Sequence, residues 1–328
     1  MPLRIVFLGS DPIAIPALDW LAGQGRSVAL VAAVVTQPDR PAGRGQAVRP
    51  NAIKQWALDR GLPVHQPEKL AEADVVWLAA LKADATLVMA YGQILREAFI
   101  ATPRLGTLNL HASLLPAYRG ASPIQTAVAG GERGTGVSLM RIVRKLDAGP
   151  VADRESVSVG PLDTAREVEA MLAVACVPLL ERTLPQLARG ELSFKEQDDA
   201  QATYCRRLVK EDGDLDFSAP AAALAARVNG LYPWPACGVE LGGQSVRLGL
   251  ADTGGRAVPG AAPGTVLGAD GAGLVVATGA GSLRLRKLQR PGGTMLPAAE
   301  FLRGFPVPAG GMIPSRPMRP LVGRTPFK

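Results

Sequence analysis

The stretch LRIVFLGSDPIAIPALDWLAG, residues 3–23, decides the fold of the first part of this 328-residue chain. Leu3 to Leu8 is a short, β-prone apolar run that stops at Gly9, and apolar residues then recur at Ile15, Leu18 and Leu21 before Gly23. That order means strand, turn, helix. The pattern returns downstream: Val28 to Val35, Ala85 to Ala90 and Leu108 to Ala112 are strand-like, and Ala52 to Arg60 is helical. Strands apolar on both faces, alternating with helices, predict an α/β architecture: a parallel sheet covered on both sides, with ligands at the carboxyl ends of its strands.

The glycine after the first strand does not make a dinucleotide site. Pro12 and Pro16 stand where a second and third glycine would let a pyrophosphate lie against the helix start. No GxxxxGK[ST] or HExxH motif occurs, so P-loop and zincin chemistry have no support. Further on, Thr164 followed by Glu167 has capping-box spacing, and Val168, Met171, Leu172 and Ala175 make one apolar face of a long helix.

After Gly190 the chain turns polar, and residues 190–208 read as a linker between a domain over 1–189 and another over 209–328. In the second, the pieces ACGVEL, GQSVRLGL, GTVLGA, GLVVAT and GSLRLRKL are short strands separated by glycines, which predicts a small β-barrel or sandwich. Trp234 is expected in packing. The charge follows the same division. Residues up to Cys205 carry 21 Lys and Arg against 21 Asp and Glu; from Arg206 onward the count is 15 against 8. The whole excess of +7 sits in the last third, as suits a polyanionic partner. Cys176, Cys205 and Cys237 are odd in number and far apart, which offers neither a disulfide framework nor a metal site. With no long apolar span near the N-terminus, a cytoplasmic protein without a membrane partner is expected, and a monomer.

There are two histidines. His65, between prolines in GLPVHQPEKL, reads as a loop or strand-edge residue. His111 differs. In TLNLHASLLP, Asn109 and His111 alternate with Leu108 and Leu110, so both polar side chains leave one face at the end of a strand. The loop that follows, SLLPAYRGASPIQ, has the composition of a ligand-binding loop, and Asp147 in the turn LDAG can face His111. A carboxylate beside an imidazole suits it to moving protons near neutral pH. A satisfied core pair is the alternative.

The run NLHASLLPAYRGASPIQ, with LDAG after it and MAYGQIL before it, resembles the folate-dependent formyltransferases. The resemblance covers nearly the whole chain and implies a Rossmann-like catalytic domain followed by a basic, oligonucleotide-binding-like (OB-like) barrel. It implies Asn109, His111 and Asp147 as catalytic residues and 10-formyltetrahydrofolate as co-substrate, with no metal. Ser113, Leu114, Leu115 and Pro116 then border the folate, with Tyr91, Gly92 and Ile94 near the pterin. The loop TQPDRPAGRG, 36–45, looks like the one with which some members enter the acceptor stem of initiator methionyl-tRNA, Arg44 reading its weak end pair. By the same resemblance Arg207 and Lys210 contact tRNA phosphates. Ala112 and Pro150 depart from the residues common at those places. An amino-sugar nucleotide or glycinamide ribonucleotide as acceptor, or a non-catalytic nucleic-acid-binding protein, remain as alternatives.

Overall fold

A computed structural model describes residues 1–42, 47–255 and 258–327. They form two compact units: Met1–Arg119, Gly136–Val157 and Ala170–Ala202 make the first, and Gly120–Thr135, Ser158–Glu169 and Thr203–Lys328 the second.

The first unit is built on a sheet of β1 (Leu3–Gly9), β2 (Ala29–Val35), β3 (Val64–His65), β4 (Ala85–Met89), β5 (Thr107–His111), β6 (Gly134–Arg141) and β7 (Val151–Ser158). Their order is β7-β6-β5-β4-β1-β2-β3, with β4 central. Strands β3, β2, β1, β4 and β5 run parallel, with Phe7 opposite Leu87 and Val88 opposite Asn109. The expected parallel sheet is present, with an addition: β6 runs antiparallel to β5, placing Ser138 opposite His111. An antiparallel edge on a parallel sheet is a common arrangement.

Helices α1 (Ile15–Ala22), α2 (Ala52–Leu58), α3 (Glu72–Ala80) and α4 (Glu97–Ala101) alternate with these strands. Helix α2 starts at Asn51, whose side chain accepts from Lys54 N–H, and stops before Gly61 at φ 63°. The strands are apolar on both faces because both are covered. Val6, Leu8, Val35 and Val88 pack with Leu78, Tyr91 and Phe99 on one side. The long α6 (Ala165–Arg189) brings the Cys176 thiol to Met89 Sδ at 3.8 Å. Glu167 accepts from Thr164 N–H at 3.0 Å, half of the expected box, and Val168, Leu172 and Ala175 are buried.

The second unit holds α5 (Pro123–Ala129) and α7 (Ala221–Leu231), followed by β8 (Gly238–Leu241), β9 (Gln244–Thr253), β10 (Val266–Asp270), β11 (Gly273–Ala277), β12 (Ser282–Gln289) and α8 (Ala298–Gly304). The strands form one antiparallel curled sheet in the order β8-β9-β12-β11-β10, bulged on β9 between Leu248 and Ala251. Leu224, Val228, Val246, Leu274, Leu283 and Phe301 lie in its core. Asn229 on α7 replaces a ladder partner at the bulge: it donates to Ala251 C=O at 2.9 Å and accepts from Ala251 N–H at 2.8 Å. Gly230 beside it permits the crossing of α5, because a Cβ there would meet Ala129 N at 2.1 Å. Trp234 departs from its expected packing role and is 56% exposed. A tryptophan ring between Pro233 and Pro235 has no strand or helix register to carry it inward.

Candidate active site

Strand β5 ends at the carboxyl edge of the sheet, where the parallel topology opens to a ligand. Leu108 and Leu110 are buried in the sheet, Asn109 is half-buried and His111 is 6% exposed. The Asn109 amide has no hydrogen-bond partner among the described residues.

The loop after His111 is held by backbone bonds and one serine. Ser113 N–H donates to His111 C=O at 2.9 Å, and the buried Ser113 hydroxyl donates to Ala117 C=O at 2.6 Å. From β6, the Ser138 hydroxyl donates to Ser113 C=O at 2.6 Å and accepts from Leu115 N–H at 3.1 Å. Leu115 packs on Met140 and Val151, while Leu114 and Pro116 are half-buried. The loop turns at Tyr118, φ 57°, a conformation that costs a non-glycine residue energy. That turn brings Tyr118 C=O to 3.0 Å from His111 Nε2. A carbonyl can only accept, so Nε2 carries the proton in this pairing.

The opposite ring atom, His111 Nδ1, faces Asp147 Oδ2 at 3.8 Å. This is too long for a direct hydrogen bond and short enough for one water or substrate nitrogen to touch both. The sequence pairing of Asn109, His111 and Asp147 thus becomes a strand end meeting a turn. Asp147 sits at φ 45°, and Gly149 allows the chain to pass, since a Cβ there would lie 1.9 Å from Arg141 C=O.

Arg119, Gln197 and Asp199 were not among the expected site residues. The Arg119 side chain is fully buried, its guanidinium donating to Gln197 Oε1 and, at 2.8 Å, to Asp199 Oδ1. Lys145 also donates to Asp199, and these bonds, Lys145 first and Arg119 second, hold that carboxyl below its ordinary range. Gln197 and Asp199 lie in the polar run read from sequence as linker.

The other expected residues fall in different places. The Tyr91 side chain packs in the core, its phenol pushed up to about 12 by burial first and Asp74 second, and its hydroxyl has no partner among the described residues. Tyr91 C=O accepts from Gln37 Nε2 at 3.0 Å and from the Ser10 hydroxyl. Gly92 follows at φ 82°, and Ile94 is exposed. Arg44 lies outside the described residues. The root of its loop is a set of side-chain bonds, with Thr36 and Asn51 bonded to each other and Ser10 accepting from Gln37 N–H. His65 ends the edge strand β3, bonded to Asp74 at 2.6 Å and stacked on Trp77. Among the described residues no group of three or more His, Cys, Asp or Glu could hold a metal, and no helix is long and apolar enough to cross a membrane.

In the second unit, Arg207 and Lys210 are exposed and belong to no ion pair among the described residues, whereas Arg206 is engaged by Asp212. A cleft of about 610 Å³ is lined by Lys210, Arg247, Arg290 and Arg316 together with Glu211 and Asp214.

A Rossmann-like parallel sheet followed by a curled antiparallel one is the fold of this chain, which belongs to the formyl transferase family, a class of group-transfer enzymes. The family's N-terminal domain matches residues 3–183 and its C-terminal domain residues 207–306. Within the family its relatives include methionyl-tRNA formyltransferases. That of Ectopseudomonas mendocina is 44% identical over 90% of this chain and 92% of its own. That of Aromatoleum aromaticum is 40% identical over 94% and 96%. Among solved structures the fold is similar to WlaRD, a sugar 3N-formyl transferase, with a TM-score of 0.65 at 14% identity over 90% of this chain and 100% of that one. It is also similar to HypX from Aquifex aeolicus in complex with tetrahydrofolic acid, with a TM-score of 0.61 at 16% identity over 92% and 47%.

Proposed function

We propose that this chain transfers the formyl group of 10-formyltetrahydrofolate to the α-amine of methionine on initiator methionyl-tRNA, acting as a cytoplasmic monomer. The observation that carries the reading is the 44% identity to a methionyl-tRNA formyltransferase over nine-tenths of the chain, joined to the Asn109, His111 and Asp147 arrangement.

The neutral amine attacks the formyl carbon, and the carbonyl electron pair moves to oxygen. His111 Nδ1, its lone pair turned toward Asp147 while Nε2–H is held by Tyr118 C=O, takes the proton of the attacking nitrogen directly or through one water. The Asn109 amide and the newly protonated Nδ1–H donate to the oxyanion. Collapse breaks the bond to the folate nitrogen, which receives the proton from His111, and Asp147 balances the imidazolium in between. Ser113 to Pro116 border the folate, the backbone near Tyr91 to Ile94 meets its pterin, and Arg44, Arg207 and Lys210 contact the tRNA.

The test offers 10-formyltetrahydrofolate with charged initiator tRNA, an amino-sugar nucleotide or glycinamide ribonucleotide. Formylation of the tRNA alone is expected, and formylation of either small acceptor in its place overturns the assignment.

A further inference from the structure

Asp147 sits in the left-handed region at φ 45°, which aspartate tolerates better than most non-glycine residues and which here points its carboxylate from a tight turn. The residue that bonds its backbone lies far along the chain. The Gln197 amide nitrogen donates to Asp147 C=O at 2.8 Å and to Gly149 C=O at 2.7 Å. One side-chain nitrogen thus spans both ends of the Asp147–Gly149 turn. The amide oxygen of the same residue accepts from Arg119 Nε at 3.1 Å and Nη2 at 2.9 Å.

This arrangement fixes which way the amide faces. An oxygen aimed at the two carbonyls would repel them, and a nitrogen aimed at Arg119 would leave donor against donor. The fully buried guanidinium, further held by Asp199, therefore sets the orientation of Gln197, and Gln197 sets the turn. Arg119 also follows Tyr118 directly, and Tyr118 C=O holds His111 Nε2. Both members of the proton-transfer pair are in this way referred to one buried cation.

We infer that Gln197 is a positioning residue, oriented by Arg119, which sets the distance between the Asp147 carboxylate and His111. The inference rests on the proposed role of His111 and Asp147 in proton transfer. It concerns geometry across a gap of 3.8 Å, where a shift of about 1 Å can cost up to about 100-fold in rate.

Gln197→Leu removes every polar contact at similar volume. Gln197→Glu keeps an acceptor for Arg119 and loses the donor to the two carbonyls. Both variants are expected to lower kcat by about 10- to 100-fold, with KM for formyl donor and tRNA changed less than about threefold. Thermal unfolding of Gln197→Glu should stay within a few degrees of the parent, whereas Gln197→Leu should melt lower because it unpairs donors of the buried Arg119. In an Asp147→Asn background the same changes should cost little more, because the carboxylate they place is gone. An unchanged kcat in both variants, or an equal further loss in that background, overturns the inference while leaving the catalytic reading standing. Parental turnover of Asp147→Asn itself overturns both. Should Gln197→Leu fail to fold, Gln197→Glu carries the same comparison.

Discussion

His111 donates from Nε2 to the carbonyl of Tyr118, seven residues further along, and so presents its other ring nitrogen to Asp147. The tautomer is chosen by a backbone oxygen, with no side chain needed for it. His111→Ala is therefore expected to lower turnover by about 10²- to 10⁴-fold through lost proton transfer and oxyanion stabilisation. Affinity for tRNA should be nearly unchanged. Single-turnover formylation alongside a filter-binding assay measures both, and parental turnover would remove His111 from the chemistry.

Arg207 and Lys210 are exposed and unengaged by ion pairs among the described residues. Phosphate contacts release counterions, so tRNA affinity should fall steeply with salt, and replacing both residues by alanine should reduce the slope of log K against log salt by about 1 to 2. Folate binding should not respond. A slope equal to the parent's would place the tRNA elsewhere.

Acid should weaken the second unit through Asp212. Burial by itself would raise this carboxyl, but the Arg206 guanidinium and Val209 N–H more than offset it and hold it below its ordinary 3.8. A depressed carboxylate contributes stability above the unfolded-state value, and that contribution disappears as pH falls through the folded value. Asp212→Asn should cost about 3 kcal/mol near neutrality, and the difference from the parent should shrink below about pH 4. Urea unfolding across that range gives the difference directly; a gap that widens in acid contradicts the sign.

Asn229 supplies both hydrogen bonds that the bulged β9 lacks at Ala251. Asn229→Ala strands a buried N–H and a buried C=O and should cost about 2 to 4 kcal/mol. Asn229→Asp keeps the acceptor and loses the donor, so calorimetry should find it destabilised as well. Full stability in the alanine variant would show that the bulge needs no such support.

The thiols should be inert in the folded protein. All three cysteines are buried, and burial pushes Cys176 and Cys237 up to about 12, leaving almost no thiolate at neutral pH. Ellman's reagent should count none before unfolding and three after it.

Periodicity carried much of the architecture. The opening strand and helix, the parallel order and the Gly-separated strands of the second unit are local patterns, and each lies near its expected position. Asn109 and His111 were legible for the same reason, since alternation on a strand fixes a face. The antiparallel β6 was not, because strand direction follows from the path of the chain between strands. Gln197 and Asp199 were hidden in a polar run whose composition suits a linker, and their partner Arg119 is 78 to 80 residues away. Only a structure pairs residues at that distance. Trp234 misled through its hydrophobicity, which argues for burial unless the backbone around it turns outward.

The LDAG turn also limits what selection or a designer can change. Asp147 holds a left-handed backbone, and Gly149 has an oxygen where any side chain would begin. Insertions or substitutions there would move the Asp147 carboxylate. The segment that leaves β2 at Thr36 is different, because side chains rather than tight backbone make its anchoring bonds. Sequence change on this scaffold is thereby tolerated less at the turn that carries Asp147 than at the segment after Thr36.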